Sequence, residues 1–373
     1  MFFKKTLALM FLYICAHESY AAATFPSGYG IKNSSMGGAS IALPYDALAP
    51  ANNPAGLSHL EDRADISVKA VRALGHNSYG DEKNQNSLNM LSAFPEFGIA
   101  YGVNEKLFLG LAVYGSGLQA VYDRPISPDI NLKNLEINMT SLSIAPTLAY
   151  KVSENFTIGA SPIIQYSTFN AQGFPGVKSR DDTAHGFGYK VGLLWDVTEK
   201  LSLGVAYSPR IKMSSFNYYR NNILSSSDGR YDIAEQASIG LSYRPVQNLT
   251  FAVDYLRYFW KDVDFFKTSE FPNQDVWRIG AAFDVTNKLS IRAGYYYSSD
   301  LYNSEFNNLN FIGPAISTRS YSAGFSYSLM NGYELSAGIE RAVPRSLRGT
   351  GASQGTNIDI NYGFFLLGVS KKF

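Results

Sequence analysis

The sequence predicts an all-β protein, a closed antiparallel barrel of fourteen strands that crosses a membrane, and three observations lead to this fold. A short turn motif recurs at intervals of roughly 40 to 50 residues, from Val103–Leu107 to Val285–Leu289. Each interval contains two long alternating runs separated by a longer polar loop, so short turns alternate with long loops. Most runs reach the roughly 9 to 11 residues that a tilted transmembrane strand requires. This arrangement is typical of outer-membrane barrels, whose short turns lie in the periplasm.

The predicted strands flank each turn. They are 64–74, 87–102, 107–118, 133–151, 155–170, 183–197, 201–216, 231–244, 248–264, 275–285, 289–299, 317–328, 332–343 and 360–373. Their even number places both ends of the barrel wall on the same side of the membrane.

Side-chain alternation supports a membrane barrel over a soluble sandwich. Leu289, Ile291 and Tyr295 share one face of a run, whereas Ser290 and Gly294 lie on the other. A soluble sandwich would carry many charges on its outward face, but charged residues are only 17% of this chain. The polar face is rich in Ser, Gly and Ala, which is typical of a crowded lumen.

Residues 1–23 are predicted to be a secretory signal peptide. Lys4 and Lys5 precede the apolar run Leu7–Ala16, and a small-residue cleavage site follows at Ala21–Ala23. Cys15 is the only cysteine, so the predicted mature chain has none and forms no disulfide. No later stretch has the ~18 or more apolar residues of a transmembrane helix, but an exported chain can cross a membrane as a closed barrel.

The segment from Phe25 to Leu60 is the only long one that lacks a strand pattern. It is rich in Gly and Ala and is interrupted by prolines, so it allows short helical turns but no long helix. Four of its motifs, together with the fourteen-strand pattern, resemble the FadL family of outer-membrane transporters of hydrophobic compounds. The motifs are Gly28-Tyr29-Gly30, Met36-Gly37-Gly38-Ala39, Asp46-Ala47 and Asn53-Pro54-Ala55-Gly56-Leu57.

The resemblance implies that residues 24–60 form a hatch inside a barrel of residues 61–373. A barrel of fourteen strands is too wide for its own side chains to fill, so it must hold either water or a plug. The family's ligand passes to a pocket near the mature N-terminus and leaves sideways through a gap where the third strand kinks inward. The resemblance thus nominates Asn53, Pro54, Ala55, Gly56 and Phe25 as hatch or gating residues.

Gly115 and Gly117 are the candidates for the lateral gate, because glycine permits a bulge and leaves no side chain in a gap. Their alternative role is simply to end the third strand. The resemblance to the fatty-acid branch is incomplete, since no basic residue follows Tyr166 in the fifth strand. This departure leaves room for uncharged substrates such as alkanes or aromatic hydrocarbons.

Strand alternation predicts five charged residues on the inward face of the wall. They are Lys69, Asp254, Arg278, Arg292 and Glu334. Counting from the turn at Thr286 places Arg278 and Arg292 three rungs apart, or about 10 Å, where they could bind a carboxylate headgroup. The alternative is that both arginines pair with acidic groups of the hatch and wall.

The predicted function is passive uptake of hydrophobic molecules, long-chain fatty acids or hydrocarbons, across the bacterial outer membrane. The alternative is a water-filled porin for small polar solutes. No enzyme, cofactor or metal is expected, because the three histidines of the predicted mature chain, His59, His76 and His185, lie in the hatch or in predicted loops.

The expected partners follow from the barrel. They are a hydrophobic ligand, outer-membrane lipids and lipopolysaccharide. The final strand, which ends at Phe373, resembles the signal that the barrel assembly machinery binds. A net charge of +1 gives no reason to expect nucleic acid.

Overall fold

A computed structural model describes residues 22–23, 26–82, 85–123, 135–267, 271–314 and 316–373. Its wall is a closed antiparallel barrel, as predicted, because the first wall strand pairs with the last and the third pairs with the fourth. The fourteen wall strands are β1 Arg63–Ser78, β2 Gln85–Gly102, β3 Leu107–Val121, β4 Glu136–Ser153, β5 Phe156–Gln172, β6 Asp182–Thr198, β7 Leu201–Ser208, β8 Gln236–Val246, β9 Leu249–Tyr258, β10 Gln274–Asp284, β11 Leu289–Ser298, β12 Arg319–Ser328, β13 Tyr333–Ala342 and β14 Asn357–Lys372. We call the end with the short turns the turn side and the other end the loop side.

Two shorter strands lie outside the closed wall. Ala22–Ala23 pairs with β3, and Arg345–Arg348 pairs with β14.

Three predicted strand boundaries were wrong by five residues or more, the first being the start of 231–244, because β8 begins only at Gln236. The prediction of 201–216 overshoots, because β7 ends at Ser208 and residues 209–235 form a loop in which Ile211 pairs with Ile233 as an isolated bridge. The prediction of 248–264 also overshoots, since β9 ends at Tyr258. At the start of the loop 209–235, Ile211 and Met213 are buried and Lys212 between them is exposed, so the sequence pattern there matches that of a strand.

The outer surface of the wall is apolar. On β6, for example, Phe187, Tyr189 and Val191 are exposed, whereas Lys190 between them is buried. This alternation suits a wall with lipid outside and a filled lumen inside. Among the described residues, no helix has both the length and the apolar character needed to span a membrane.

The N-terminal segment occupies the lumen as a hatch. It contains two single-turn helices, α1 Ile31–Ser34 and α2 Ala49–Asn52, and a 3₁₀ helix at Pro54–His59. Gly37 and Gly38 have positive φ values of 67° and 88°, a conformation that favours glycine and ends α1 in a tight turn. The hatch is compact, and most of its residues are buried.

The wall is lined with glycine where the hatch touches it. A Cβ at Gly192 would lie 1.9 Å from Asn53 Oδ1, and one at Gly294 would lie 2.0 Å from the Met36 carbonyl carbon. Eleven wall glycines lie so close that a Cβ would meet a hatch atom at 3.0 Å or less. We call this set the glycine belt: Gly98, Gly110, Gly159, Gly192, Gly204, Gly240, Gly280, Gly294, Gly324, Gly338 and Gly368. The belt allows the hatch backbone to pack directly against the wall backbone.

Candidate functional site

Asn53 fastens the hatch to the wall. Its Nδ2 donates to the Ile41 carbonyl at 2.8 Å and to the Leu193 carbonyl of β6 at 3.0 Å. Its Oδ1 accepts from the Ala55 amide at 3.1 Å, which caps the 3₁₀ helix that starts at Pro54. Gly56 packs against Pro44 within the hatch. These four predicted hatch residues therefore lie together at one hatch–wall contact, and their part in gating stays a prediction.

Charged wall residues hold the other end of the hatch. Lys69 forms an ion pair with Glu96 at 2.9 Å, and Glu96 also accepts from the Gly30 amide at 3.1 Å. Asp254 accepts from the Ser40 amide at 2.7 Å and from the Ile41 amide at 3.1 Å. Backbone N–H groups of the hatch that have no partner within it are thus satisfied by carboxylates of the wall.

On the turn side, the hatch contacts a second set of charged side chains. Lys32 pairs with Glu334, and Arg63 donates to Asp65 at 2.8 Å and 2.7 Å. Asp65 also accepts from the Ala47 amide at 2.8 Å. Burial, and next the negative charge of Asp65, raise the pKa of Asp46 in the hatch to about 7.

The five charged residues predicted to face inward all lie inside the barrel, and Asp254 is fully buried. The expected spacing of the two arginines is wrong by one rung. Arg278 is opposite Tyr296 and Arg292 is opposite Ala282, so four rungs separate them, or about 13 Å. The error arises because the turn after β10 is longer than the count assumed.

The hatch also separates the two arginines into different cavities. Arg278 lines a cavity on the loop side of the hatch, and its Nη1 lies 3.4 Å from the Gly38 carbonyl oxygen. Arg292 faces the turn side, where its guanidinium lies 4.9 Å from the ring centroid of Tyr45 and donates to Ser326 at 2.8 Å. They therefore cannot hold one carboxylate together, and a headgroup role for either one alone stays a prediction.

Two small cavities lie on the loop side of the hatch, and Tyr258 lines both. The first, which we call the inner cavity, has a volume of about 50 Å³ and is bounded by Tyr29, Tyr114, Lys190 and Arg278. The second has a volume of about 70 Å³ and lies beside Pro26 and Ser27 at the start of the hatch. Phe25, the remaining predicted hatch residue, lies outside the described residues.

The turn side opens into a vestibule of about 1000 Å³. Its lining is strongly charged and includes Lys32, Arg63, Lys151, Asp196, Lys200, Arg244, Asp284, Arg292, Glu334 and Lys372. An apolar molecule would gain little from entering it, because charged side chains hold water.

The loop-side mouth of the barrel is filled by aromatic residues of the long loops. Phe216, Tyr219 and Trp260 are at most 1% exposed. Tyr219 donates to the Arg180 carbonyl at 2.6 Å, which fixes its loop to the end of the wall. This cluster was not predicted from the sequence, because the predicted strands 201–216 and 248–264 include Phe216 and Trp260. The signal was the density of aromatic residues between Tyr255 and Phe266.

The barrel wall is interrupted between β2 and β3. Hydrogen-bonded pairing runs only from Gly102–Phe108 to Phe97–Val113 and resumes at the single bridge Leu88–Tyr122. The register is the same on both sides, so residues 89–96 and 114–121 face each other across a gap with no ladder. Along its other edge, β3 is paired with β4 over its whole length, from Leu107 to Val121.

Gly115 and Gly117 both lie in this gap. A Cβ at Gly117 would meet the Met139 carbonyl oxygen at 2.4 Å, whereas one at Gly115 would have its nearest neighbour at 3.5 Å. Gly117 and Gln119 are buried although they alternate with inward residues, which indicates that β3 bends into the barrel here. The freed edge of β3 pairs with Ala22–Ala23, at Leu118 and Gly117. The predicted lateral-gate glycines therefore lie beside a break in the wall, while their role in release stays a prediction.

The closed fourteen-stranded wall and its N-terminal hatch define a plugged barrel of the outer-membrane type. The chain belongs to the outer membrane protein transport protein family (OMPP1/FadL/TodX), whose model matches residues 18–364. The family resemblance and the outer-membrane location are thus confirmed, and the family is one of transport proteins.

Solved structures show the same fold. The P. putida toluene transporter TodX is 16% identical with a TM-score of 0.73, and the match covers 94% of this chain and 99% of TodX. A Pseudomonas aeruginosa FadL homologue is 16% identical with a TM-score of 0.72, covering 95% and 100%. The Ralstonia pickettii toluene transporter TbuX is 16% identical with a TM-score of 0.68, covering 94% and 100%. No curated protein matches the chain.

Proposed function

We propose that this protein passively takes up hydrophobic molecules across the bacterial outer membrane, with the hatch as gate and the β2–β3 gap as a lateral exit. The observation that carries the proposal is the interrupted pairing at Phe97–Val113, because it opens the wall directly beside the inner cavity. Family membership supports transport, and two of the similar structures are named toluene transporters.

A sideways exit suits an apolar ligand better than a straight one. The charged vestibule lies on the turn side of the hatch, whereas the β2–β3 gap leads to the lipid-facing surface of the wall. Each Å² of apolar surface kept from water is worth about 25 cal/mol. A ligand that leaves through the wall therefore avoids the cost of crossing the vestibule.

We divide the proposed gate into a fixed part, which stays packed against the wall, and a leading part at the N-terminal end of the hatch, which moves. Asn53, Pro54 and Ala55 are packed against the glycine belt, and Gly56 is packed against Pro44 of the hatch, so we assign all four to the fixed part. The leading part is the start of the hatch, where Pro26 and Ser27 line the second loop-side cavity. Phe25 belongs to this leading part by position.

The domain division follows the same scheme. We propose a signal peptide at 1–23, a hatch at 24–60 and the barrel at 61–373. Outer-membrane lipids, lipopolysaccharide and the barrel assembly machinery remain the expected partners.

The water-filled porin is not retained as a second candidate. A porin requires an open lumen, but here hatch atoms reach the glycine belt on eleven strands of the wall.

A bulky side chain in the gap tests the proposal. Gly115 has room for a Cβ, so Gly115→Trp should fold and fill the gap. The matched control is Leu111→Trp on the same face of β3, where pairing with Ile99 of β2 is intact. We expect Gly115→Trp to lower toluene uptake into proteoliposomes about tenfold or more, and Leu111→Trp to transport like the wild type. Equal uptake by both variants would contradict lateral release.

A further inference from the structure

Lys190 is a buried lysine with no acidic partner in the part of the chain that the structure describes. It projects inward from β6 and is 6% exposed. Its Nζ donates to the Ala51 carbonyl at 2.5 Å, and no carboxylate of the described residues lies within 4.0 Å of it. The buried lysines Lys32 and Lys69, by contrast, each form an ion pair. A buried ammonium whose partner is a neutral carbonyl leaves most of its desolvation cost unbalanced.

The inner cavity therefore carries a surplus positive charge. Arg278 lines the same cavity, but Asp254 is its cross-strand neighbour on β9 and balances its charge. Lys190 has no such neighbour: Ser161 of β5 is opposite it, and β7 pairing begins one position further along at Val191. An anion placed in this cavity would meet Lys190 directly.

The cavity also offers hydrogen bonds that a pure hydrocarbon cannot use. Gln165, Gln236 and Ser143 line it together with the tyrosines already named. Its apolar lining is limited and includes Ile163 and Ile211. Burying a polar group costs free energy unless it is paired, so this lining favours a ligand with polar atoms of its own.

The position of the inner cavity and the residues around it limit the class of ligand further. Ser116 of β3 lines the cavity and lies in the β2–β3 gap, so a molecule held at Lys190 has its other end towards the exit. Tyr258 lines both loop-side cavities and bounds the inner cavity on the side away from Lys190, so the described lining suits a compact acid better than a long acyl chain.

We propose that the inner cavity selects compact organic acids in their ionised form, with the Lys190 ammonium holding the carboxylate. Lys190 is then a specificity-determining residue for the same lumen through which the proposed uptake runs, and this inference rests on that proposed function. The carboxylate takes the place of solvent beside Lys190, and the apolar body of the acid packs against the isoleucines and the tyrosine rings.

The test compares three molecules of one shape: benzoate, benzyl alcohol and toluene. Affinity is measured by calorimetry on the full-length folded protein in detergent, and palmitate serves as the long-chain comparison. We expect the wild type to bind benzoate about tenfold or more tightly than benzyl alcohol, the factor of one charge-assisted hydrogen bond. Palmitate should bind no better than benzoate.

Lys190→Gln separates charge from position, because its amide can still donate to the Ala51 carbonyl. It should lose the preference for benzoate and keep the affinity for benzyl alcohol, while Lys190→Arg should retain the preference. Lys151→Gln is the matched control, since Lys151 lies on the far side of the hatch in the vestibule. Heat-modified migration on a denaturing gel verifies that each variant is a folded barrel.

Each of the other results would bear on one stated part of the proposal. Equal binding of benzoate and benzyl alcohol by the wild type, or a preference that survives in Lys190→Gln, would overturn the role of Lys190. A stronger affinity for palmitate would overturn the compact-acid class. Toluene binding and uptake that persist in either case would leave the proposed function standing, whereas failure of all the ligands to bind or enter would count against both.

Discussion

Single residues decide how closely the hatch can approach the wall, and Gly192 gives the sharpest case. Its missing Cβ is the space that Asn53 Oδ1 occupies. We expect Gly192→Ala to push Asn53 away and break its bonds to Ile41 and Leu193, each worth about 1 kcal/mol. The resulting leak should raise ion conductance in planar bilayers severalfold.

Gly102→Ala is the control at the residue scale. A Cβ there would have its nearest neighbour, Asp62 Oδ1, at 3.5 Å, which is ordinary van der Waals contact, and would meet no atom of the hatch before Asp62. Its conductance should equal that of the wild type. If the conductance of Gly192→Ala also equalled that of the wild type, the contact between Gly192 and Asn53 would not be what holds the hatch in place.

At this scale the sequence predicted which way side chains point but not what they meet. Alternation with period two placed Lys69 and Asp254 inside correctly, because strand geometry alone sets that choice. It could not show that Arg278 and Arg292 lie on opposite sides of the hatch. That depends on where the hatch crosses the lumen, and no local pattern in the wall encodes it. Lys190 was missed as a site residue for the same reason.

At the scale of elements, β3 combines a paired edge and a free edge. Its ladder to β4 is complete, so the bend is shaped by the close approach of Gly117 to the Met139 carbonyl. We expect Gly117→Ala to force β3 away from β4 and to speed hydrogen exchange of the β3 amides about tenfold or more. Gly115→Ala, one outward position away, has space for its methyl group and should exchange like the wild type. Equal protection in both variants would show that the bend does not depend on glycine.

Element boundaries were the least predictable part of the fold. The turns were located correctly because their motif repeats, whereas the loop-side ends of β7 and β9 were placed too far along. The loop from 209 to 235 packs over the barrel mouth, where Ile211 and Met213 are buried and Lys212 is exposed, so its first residues alternate like a strand.

At the scale of the whole molecule, the hatch and barrel form one electrostatic unit. Asp46 of the hatch is surrounded by Asp65 and Arg63 of β1, Lys32 of α1 and Glu96 of β2. Burial is the largest cause of its pKa of about 7 in the folded protein, against an ordinary value of 3.8. A carboxyl group whose pKa is raised by folding stabilises the folded state at low pH and loses that contribution as pH rises through the folded pKa.

The seated hatch should therefore loosen as Asp46 ionises. We expect the ion conductance of wild-type channels to rise severalfold between about pH 4 and about pH 7, from the ordinary pKa of 3.8 to the pKa in the folded protein, because the new charge is buried beside Asp65. Asp46→Asn keeps an oxygen for the Leu48 amide, which now donates to Asp46 Oδ1 at 3.1 Å, but it cannot ionise. Its conductance should stay flat over the same range. A pH response that is unchanged in Asp46→Asn would assign the titration to another group and would separate the stability of the hatch from this buried network.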